Sequence, residues 1–183
     1  MKNYKNKLFA VLFSVFALVS FTSCEDDDYI VRTGLYCQFL STSDSRGYFA
    51  SEGGGDYTFN NIPDIGRNPD IREFIYNGTV ISITGDIQPG DVIRDLYIDV
   101  EGLGEFRYAK TIPVRYRNEL IEYDTYDDPE FYDFMSDAMY HFYRNGWINI
   151  LVSGYITDRS GTAIRNVRMD IVLDNSLDIR IRD

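Results

Sequence analysis

Residues 95–108 read DLYIDVEGLGEFRY, and this stretch decides the fold class. Leu96, Ile98 and Val100 alternate with Asp95, Tyr97, Asp99 and Glu101. After Gly102-Leu103-Gly104 the alternation resumes, with Phe106 and Tyr108 on one face and Arg107 on the other, and it runs on to Ile112 and Val114. Successive side chains of a strand point to opposite faces, so a period of two with one apolar set marks a half-buried strand. The glycines reverse the chain, since they adopt left-handed backbone without a Cβ clash. The stretch is therefore read as a β-hairpin, with Asp95, Tyr97, Asp99 and Glu101 facing solvent on the side of Arg107.

The same pattern spreads in both directions. Ile148, Ile150, Val152 and Ile156, a turn at Asp158-Arg159-Ser160-Gly161, and Val167, Met169, Ile171 and Leu173 predict a second hairpin. Asp174-Asn175-Ser176 predicts a further turn into a last strand, with Leu177, Ile179 and Ile181 inward and Asp178, Arg180 and Arg182 outward. Short β-branched and aromatic runs broken by Gly, Asp, Asn and Pro, from Leu35 onward, indicate an all-β domain. The expected architecture is an immunoglobulin-like β-sandwich with one amphipathic helix, and a barrel or calyx is the alternative. Residues 42–78 are the least regular, with strands expected near Tyr48 and over 57–62. Gly53-Gly54-Gly55 is read as a flexible loop, because no Lys-Ser or Lys-Thr follows to make a phosphate cradle. The glycosylation sequon at Asn77-Gly78-Thr79 is read as coincidence.

One segment departs from period two. Phe131, Phe134, Met135, Ala138, Met139 and Phe142 lie at helical spacing between Pro129 and Asn145. Asp128 suits the cap, Pro129 the first turn and Gly146 the stop. The helix is expected to pack across an open edge or end of the sheets. On its polar face Glu130, Asp133, Asp137 and His141 fall three and four apart, a stripe from which Asp133, Asp137 and His141 form a candidate metal set. Against this, acids early in a helix and His141 with Arg144 late in it are what the helix dipole favours on a solvated face. No metal or other cofactor is expected.

The chain of 183 residues carries 29 acids against 18 lysines and arginines. Such a balance argues against nucleic acid, whose phosphates need a basic patch. The first residues hold Lys2, Lys5 and Lys7 and no acid, an apolar run extends from Leu8 to Phe21, and Thr22-Ser23-Cys24 follows. The run is shorter than the ~20 apolar residues of a spanning helix and reads as a cleaved export signal. Phe21-Thr22-Ser23-Cys24 resembles a lipobox, and the acidic block Glu25, Asp26, Asp27 and Asp28 behind it resembles the surface-export tag of lipoproteins from the Bacteroidota. The resemblance covers residues 1–28. It implies cleavage before Cys24, lipid on that cysteine, and an outer-membrane anchor facing the cell exterior. The expected organisation is a signal peptide over 1–23, a lipidated cysteine and acidic tether over 24–34, and one β-rich domain over 35–183. Cys37 would then be the remaining thiol, alternating with Leu35 and Phe39 as a buried apolar residue.

No catalytic constellation is legible. His141 is the single histidine, and no G-x-S-x-G elbow accompanies it. Fifteen tyrosines exceed what a core of this size needs, and Tyr97, Tyr140 and Tyr155 fall at outward positions. Exposed rings stack on sugars or anchor protein partners. The expectation is a non-enzymatic binding module for a glycan, a host protein or an envelope partner. The alternatives are an adhesive, pilus-like assembly subunit and a carboxylate-dependent glycan hydrolase.

Overall fold

The computed structural model describes residues 18–19, 28–56, 70–108, 110–115, 119–123 and 128–182. In chain order its elements are β1 (Leu18–Val19), β2 (Asp28–Thr42), β3 (Tyr48–Asp56), β4 (Asp70–Gly85), β5 (Val92–Val100), β6 (Gly104–Tyr108), β7 (Ile112–Pro113), β8 (Glu119–Tyr123), α1 (Pro129–Asn145), β9 (Trp147–Thr157) and β10 (Arg168–Arg182). They form two antiparallel sheets, of strand order β1-β2-β10-β4-β8 and β3-β9-β5-β6, with β7 pairing the start of β5. The β5–β6 hairpin sets Tyr97 opposite Arg107 and Ile98 opposite Phe106, as the alternation requires. Phe39, Ile81, Ile83 and Leu173 of the first sheet and Phe49, Ile98, Ile150 and Val152 of the second belong to one buried cluster. Over the described residues the molecule is an all-β sandwich with one helix, its strands falling into two distinct sheets rather than one closed barrel.

The central strands of the first sheet are longer than those of the second: 15 residues in β2, 16 in β4 and 15 in β10, against 9 in β5 and 11 in β9. Helix α1 packs beside the second sheet against the part of β4 nearer its start. Tyr140 and Tyr143 pack on Phe74 with ring centroids 5.2 and 5.0 Å apart, and Tyr132 packs on Tyr76 at 4.9 Å. Phe131 meets Phe106 of the second sheet at 5.4 Å, so the helix joins both sheets. Its ends follow the local chemistry. The Asp128 carboxylate accepts from the Phe131 N–H at 3.2 Å, Pro129 opens the first turn, and Gly146 closes the last in the left-handed conformation at φ 72°.

Several expectations are corrected. β9 and β10 do not form a hairpin: β9 pairs with β3 and β5, whereas β10 pairs with β2 and β4. Residues 158–167 therefore cross between sheets. Asp174-Asn175-Ser176 is not a turn but the middle of β10, where Asn175 is fully buried. Its Oδ1 accepts from the Thr79 hydroxyl at 2.6 Å, its Nδ2 donates to the Leu35 carbonyl at 3.0 Å, and Thr79 also meets the Tyr76 hydroxyl. An unpaired buried amide would cost roughly 1–3 kcal/mol, and this network removes that cost. Gly53-Gly54-Gly55 lies in β3 rather than in a loop, opposite Ile150, Asn149 and Ile148. A Cβ on Gly54 would fall 2.4 Å from the Ile148 carbonyl oxygen, so the glycine permits close pairing. Residues 28–34, expected to be tether, lie in β2 and pair with 176–182, because β10 continues beyond Asn175 and needs a partner there. The strand expected over 57–62 lies outside the described residues, and β4, which takes in residues 70–78, was not foreseen.

Candidate functional site

The outward face of the second sheet is built in rows across its strands. The first row runs Tyr48, Tyr155, Arg94 and the next Ala50, Ser153, Tyr97, Arg107. Farther along come Glu52, Leu151, Asp99 and Glu105, then Gly54 and Asn149 beside Glu101. Tyr155 is 40% exposed, and its ring centroid lies 5.3 Å from that of half-buried Tyr48 at an interplanar angle of 57°. The guanidinium of Arg107 sits over the Tyr97 ring at 5.6 Å and donates to Asp95. One end of the face is thus aromatic and cationic, and the other is acidic.

A bulge shapes the aromatic end. Asp95 and Leu96 together oppose Gly154, between the pairs Arg94–Tyr155 and Tyr97–Ser153. Asp95 takes φ 47°, a left-handed conformation that Asp tolerates better than most side chains. The extra residue turns Asp95 outward with Arg94 and Tyr97 while Leu96 stays in the core, 2% exposed. Bulges recur where a strand must re-aim side chains at a site. Gly154 is required beneath, because a Cβ there would fall 2.8 Å from the buried Phe49 ring.

This end lies far from Asp28. β2 starts at Asp28 and ends at Thr42, the turn 43–47 follows, and Tyr48 comes next. A strand of 15 residues extends roughly 45 Å. Around the tyrosines the tip gathers the turn 43–47, the segment 86–91 and the crossover 158–167. Ile156 donates to the Gly47 carbonyl, and Asp86 donates to that of Arg168. The Arg159 side chain lies over Gly90, and an Arg94 guanidinium nitrogen lies beside Gly161.

The remaining candidates separate. Tyr140 is 39% exposed, but its hydroxyl donates to the Phe74 carbonyl at 2.7 Å and its ring abuts Phe74, so it secures the helix. Asp133 and Asp137 are exposed on α1, while His141 turns edge-on to Trp147 at 6.0 Å and its Nε2 is shielded from solvent. Among the described residues no three acidic, His or Cys side chains converge to hold a metal ion. Cys37 is buried, and burial pushes its thiol up to about 12, which leaves no thiolate near neutrality. Glu52 and Glu101 both accept from Asn149 Nδ2, at 2.8 and 3.0 Å, but on an open, solvated face. Asp28 borders a shallow cleft of about 500 Å³ with Arg72, Glu73, Arg180 and Arg182, where Glu73 pairs with Arg180 at 2.9 Å. Cys24, Glu25, Asp26 and Asp27 lie outside the described residues.

Of the tyrosines singled out from sequence, Tyr97 and Tyr155 share this face and Tyr140 does not. Tyr48 and Arg94 were missed. Arg94 shares the phase of Leu96, Ile98 and Val100, so alternation alone places it inward; the bulge at Asp95 turns it out, and strand pairing brings it beside Tyr155. No protein-family model matches the chain, and no curated protein is found similar to it.

Proposed function

We propose that the chain is an outer-membrane lipoprotein of the cell surface, anchored through Cys24, and that it acts as a non-enzymatic module binding a glycan across Tyr48, Tyr155 and Tyr97. The observation that carries this reading is the Tyr48–Tyr155 pair beside Tyr97 on a face that no described element covers. Tyrosine rings present flat apolar surface to the carbon faces of sugars and keep a hydroxyl for hydrogen bonding. The lipobox and acidic block support the address. With lipid on Cys24, four residues before Asp28, β2 leads away from the anchor and holds the tyrosines toward the exterior. Cleavage before Cys24 also removes β1 and frees the edge of β2 at Val31 and Arg32.

Affinity electrophoresis of the mature chain in gels containing soluble polysaccharides tests the binding. Retardation by at least one polymer, abolished in the Tyr48→Ala/Tyr155→Ala double variant, is the expected result. No retardation by any polymer, or equal retardation of the double variant, overturns the reading. Protease shaving of intact cells tests the address, comparing the native chain with one in which Glu25, Asp26 and Asp27 are alanine. Asp28 is left intact because it pairs with Arg182 in the sheet. Native protein shaved and variant protected is the expected pattern; protection of both withdraws the surface location.

A further inference from the structure

We infer that the glycan taken by the tyrosine face is acidic, a uronate-bearing polysaccharide whose carboxylates meet Arg94 beside Tyr155 and Arg159 on the adjoining crossover. The inference rests on the binding reading above and names its ligand class. In a chain of formal charge −11, a guanidinium has many carboxylates to pair with. Arg32, Arg46, Arg72, Arg107 and Arg180 do so. Arg94, Arg144, Arg159, Arg165, Arg168 and Arg182 have no carboxylate within ion-pair distance among the described residues; Arg144 closes α1 and Arg182 lies at the far end of β10, while Arg94, Arg159, Arg165 and Arg168 stand at the end that carries Tyr48 and Tyr155.

Of the acids at that end, Asp86 is exposed, whereas Asp158, Asp44 and Asp91 are engaged in turns. The Asp158 carboxylate accepts from the Ser160 N–H at 2.8 Å, the Ser160 hydroxyl at 2.6 Å and the Thr162 N–H at 2.9 Å. Asp44 accepts from the N–H groups of Arg46 at 2.7 Å and Tyr48 at 3.0 Å. Asp91 is 9% exposed and accepts from the Gln88 N–H at 2.7 Å. Asp44 also pairs with the Arg46 guanidinium at 3.6 Å, and these turn carboxylates leave Arg94 and Arg159 open. Arg94 is cross-strand neighbour to Tyr155 and reaches Gly161 on the crossover that carries Arg159. A sugar ring seated on Tyr155 would thus place a ring carboxylate within reach of Arg94. Guanidinium matches carboxylate with two parallel N–H donors, a geometry that gives direction as well as charge. The acidic end of the same face, Glu52, Asp99, Glu101 and Glu105, repels the polymer there and fixes where it crosses.

The test measures retention of the mature chain on polygalacturonate, on the same polymer after chemical reduction of its carboxyl groups, and on a neutral β-glucan. Variants are Arg94→Gln/Arg159→Gln, whose exposed side chains leave the core untouched, and Tyr48→Ala/Tyr155→Ala, each checked by its urea unfolding midpoint. Binding to polygalacturonate weakened at least tenfold by the arginine change, by the tyrosine change and by carboxyl reduction is the expected result. Equal binding to the neutral or reduced polymer overturns the acidic ligand and leaves the glycan reading standing. Binding to polygalacturonate that survives the tyrosine change is mere charge attraction and overturns both, as does binding to none of the three.

Discussion

Both sheets turn one face outward, and they arrange charge in opposite ways. On the first sheet Arg32 pairs with Asp178 and Arg180 with Glu73 across strands, both at 2.9 Å, and Gln38 donates to Asp170 at 2.7 Å, while, among the described residues, Arg168 and Arg182 at the ends of β10 stand unpaired. On the second, guanidiniums and tyrosines gather at one end while Glu52, Asp99, Glu101 and Glu105 gather at the other. Matched cross-strand pairs add small local stabilisation and cancel each other's field at a distance. Segregated charges forgo that stabilisation and project a field into solvent. Folding alone has no need of the second arrangement, which is why the proposed binding site is put on that face.

The largest effect should come from the backbone under the two faces. In Gly154→Ala the new methyl must displace the Phe49 ring, 2.8 Å from the Cβ position and 1% exposed, or part β9 from the Arg94 carbonyl at 3.2 Å. Overpacking of this kind costs about 2–3 kcal/mol. Gly34→Ala, under the outward face of the first sheet, meets a single tight contact, the Asn175 carbonyl at 3.2 Å, and should cost less than about 1 kcal/mol. Urea unfolding of both variants decides. Equal costs would mean that the bulged face is no more tightly specified than the regular one.

What the sequence made legible follows from how local each signal is. The β5–β6 hairpin and α1 were readable because period, turn and caps all lie within a few residues, from Asp128 to Gly146 in the helix. The β9–β10 pairing was not, because the turn at 158–161 looks the same whether the chain returns beside itself or crosses to the other sheet. Asn175 misled for the opposite reason: its type signals a turn, but its partners Thr79 and Leu35 are distant in sequence. The unbroken odd-numbered alternation Met169, Ile171, Leu173, Asn175, Leu177, Ile179, Ile181 was the signal available. At the site, Tyr97 and Tyr155 were visible as outward residues. Their assembly with Tyr48 and Arg94 needed the register of β3, β9 and β5.

A smaller effect on stability, though not on binding, is expected from deleting Asp95. The remaining order Ile93, Arg94, Leu96, Tyr97, Ile98 alternates perfectly, so the strand can pair without its bulge and the core is unchanged. The unfolding midpoint should move little. Polysaccharide retention should fall, because the local twist that aims Arg94 and Tyr97 outward beside Tyr155 relaxes, an effect that must outweigh the release of Arg107 from its carboxylate. Arg32→Ala on the first sheet removes a comparable exposed ion pair and should leave both readouts unchanged. Loss of retention with Arg32→Ala would erase the distinction between the faces.

The smallest effect is local and depends on pH. Hydrogen bonds from the Ser160 hydroxyl, and then from the Thr162 N–H, hold the Asp158 carboxyl below the usual carboxylate range, and the Arg46 N–H does most to hold Asp44 there. A folded-state value lowered in this way stabilises the turn above the unfolded value, about 3.9 for Asp, and the stabilisation is lost as pH falls through the lower folded value. The tip turns should therefore be unaffected from pH 7 to 5 and loosen only below about 4. Hydrogen-exchange protection factors for the N–H groups of Ser160, Thr162, Arg46 and Tyr48 should fall between pH 5 and 3, while that of Leu173 in the first sheet stays constant. In Asp158→Asn the amide oxygen still accepts but no longer titrates, so protection at Ser160 and Thr162 should be flat with pH. If the native chain is equally flat, the carboxylates are not what hold these turns, and Asp158 is free to pair with the arginines beside it, as Asp44 already does with Arg46. That outcome would remove the open guanidiniums on which the contrast between the two faces depends.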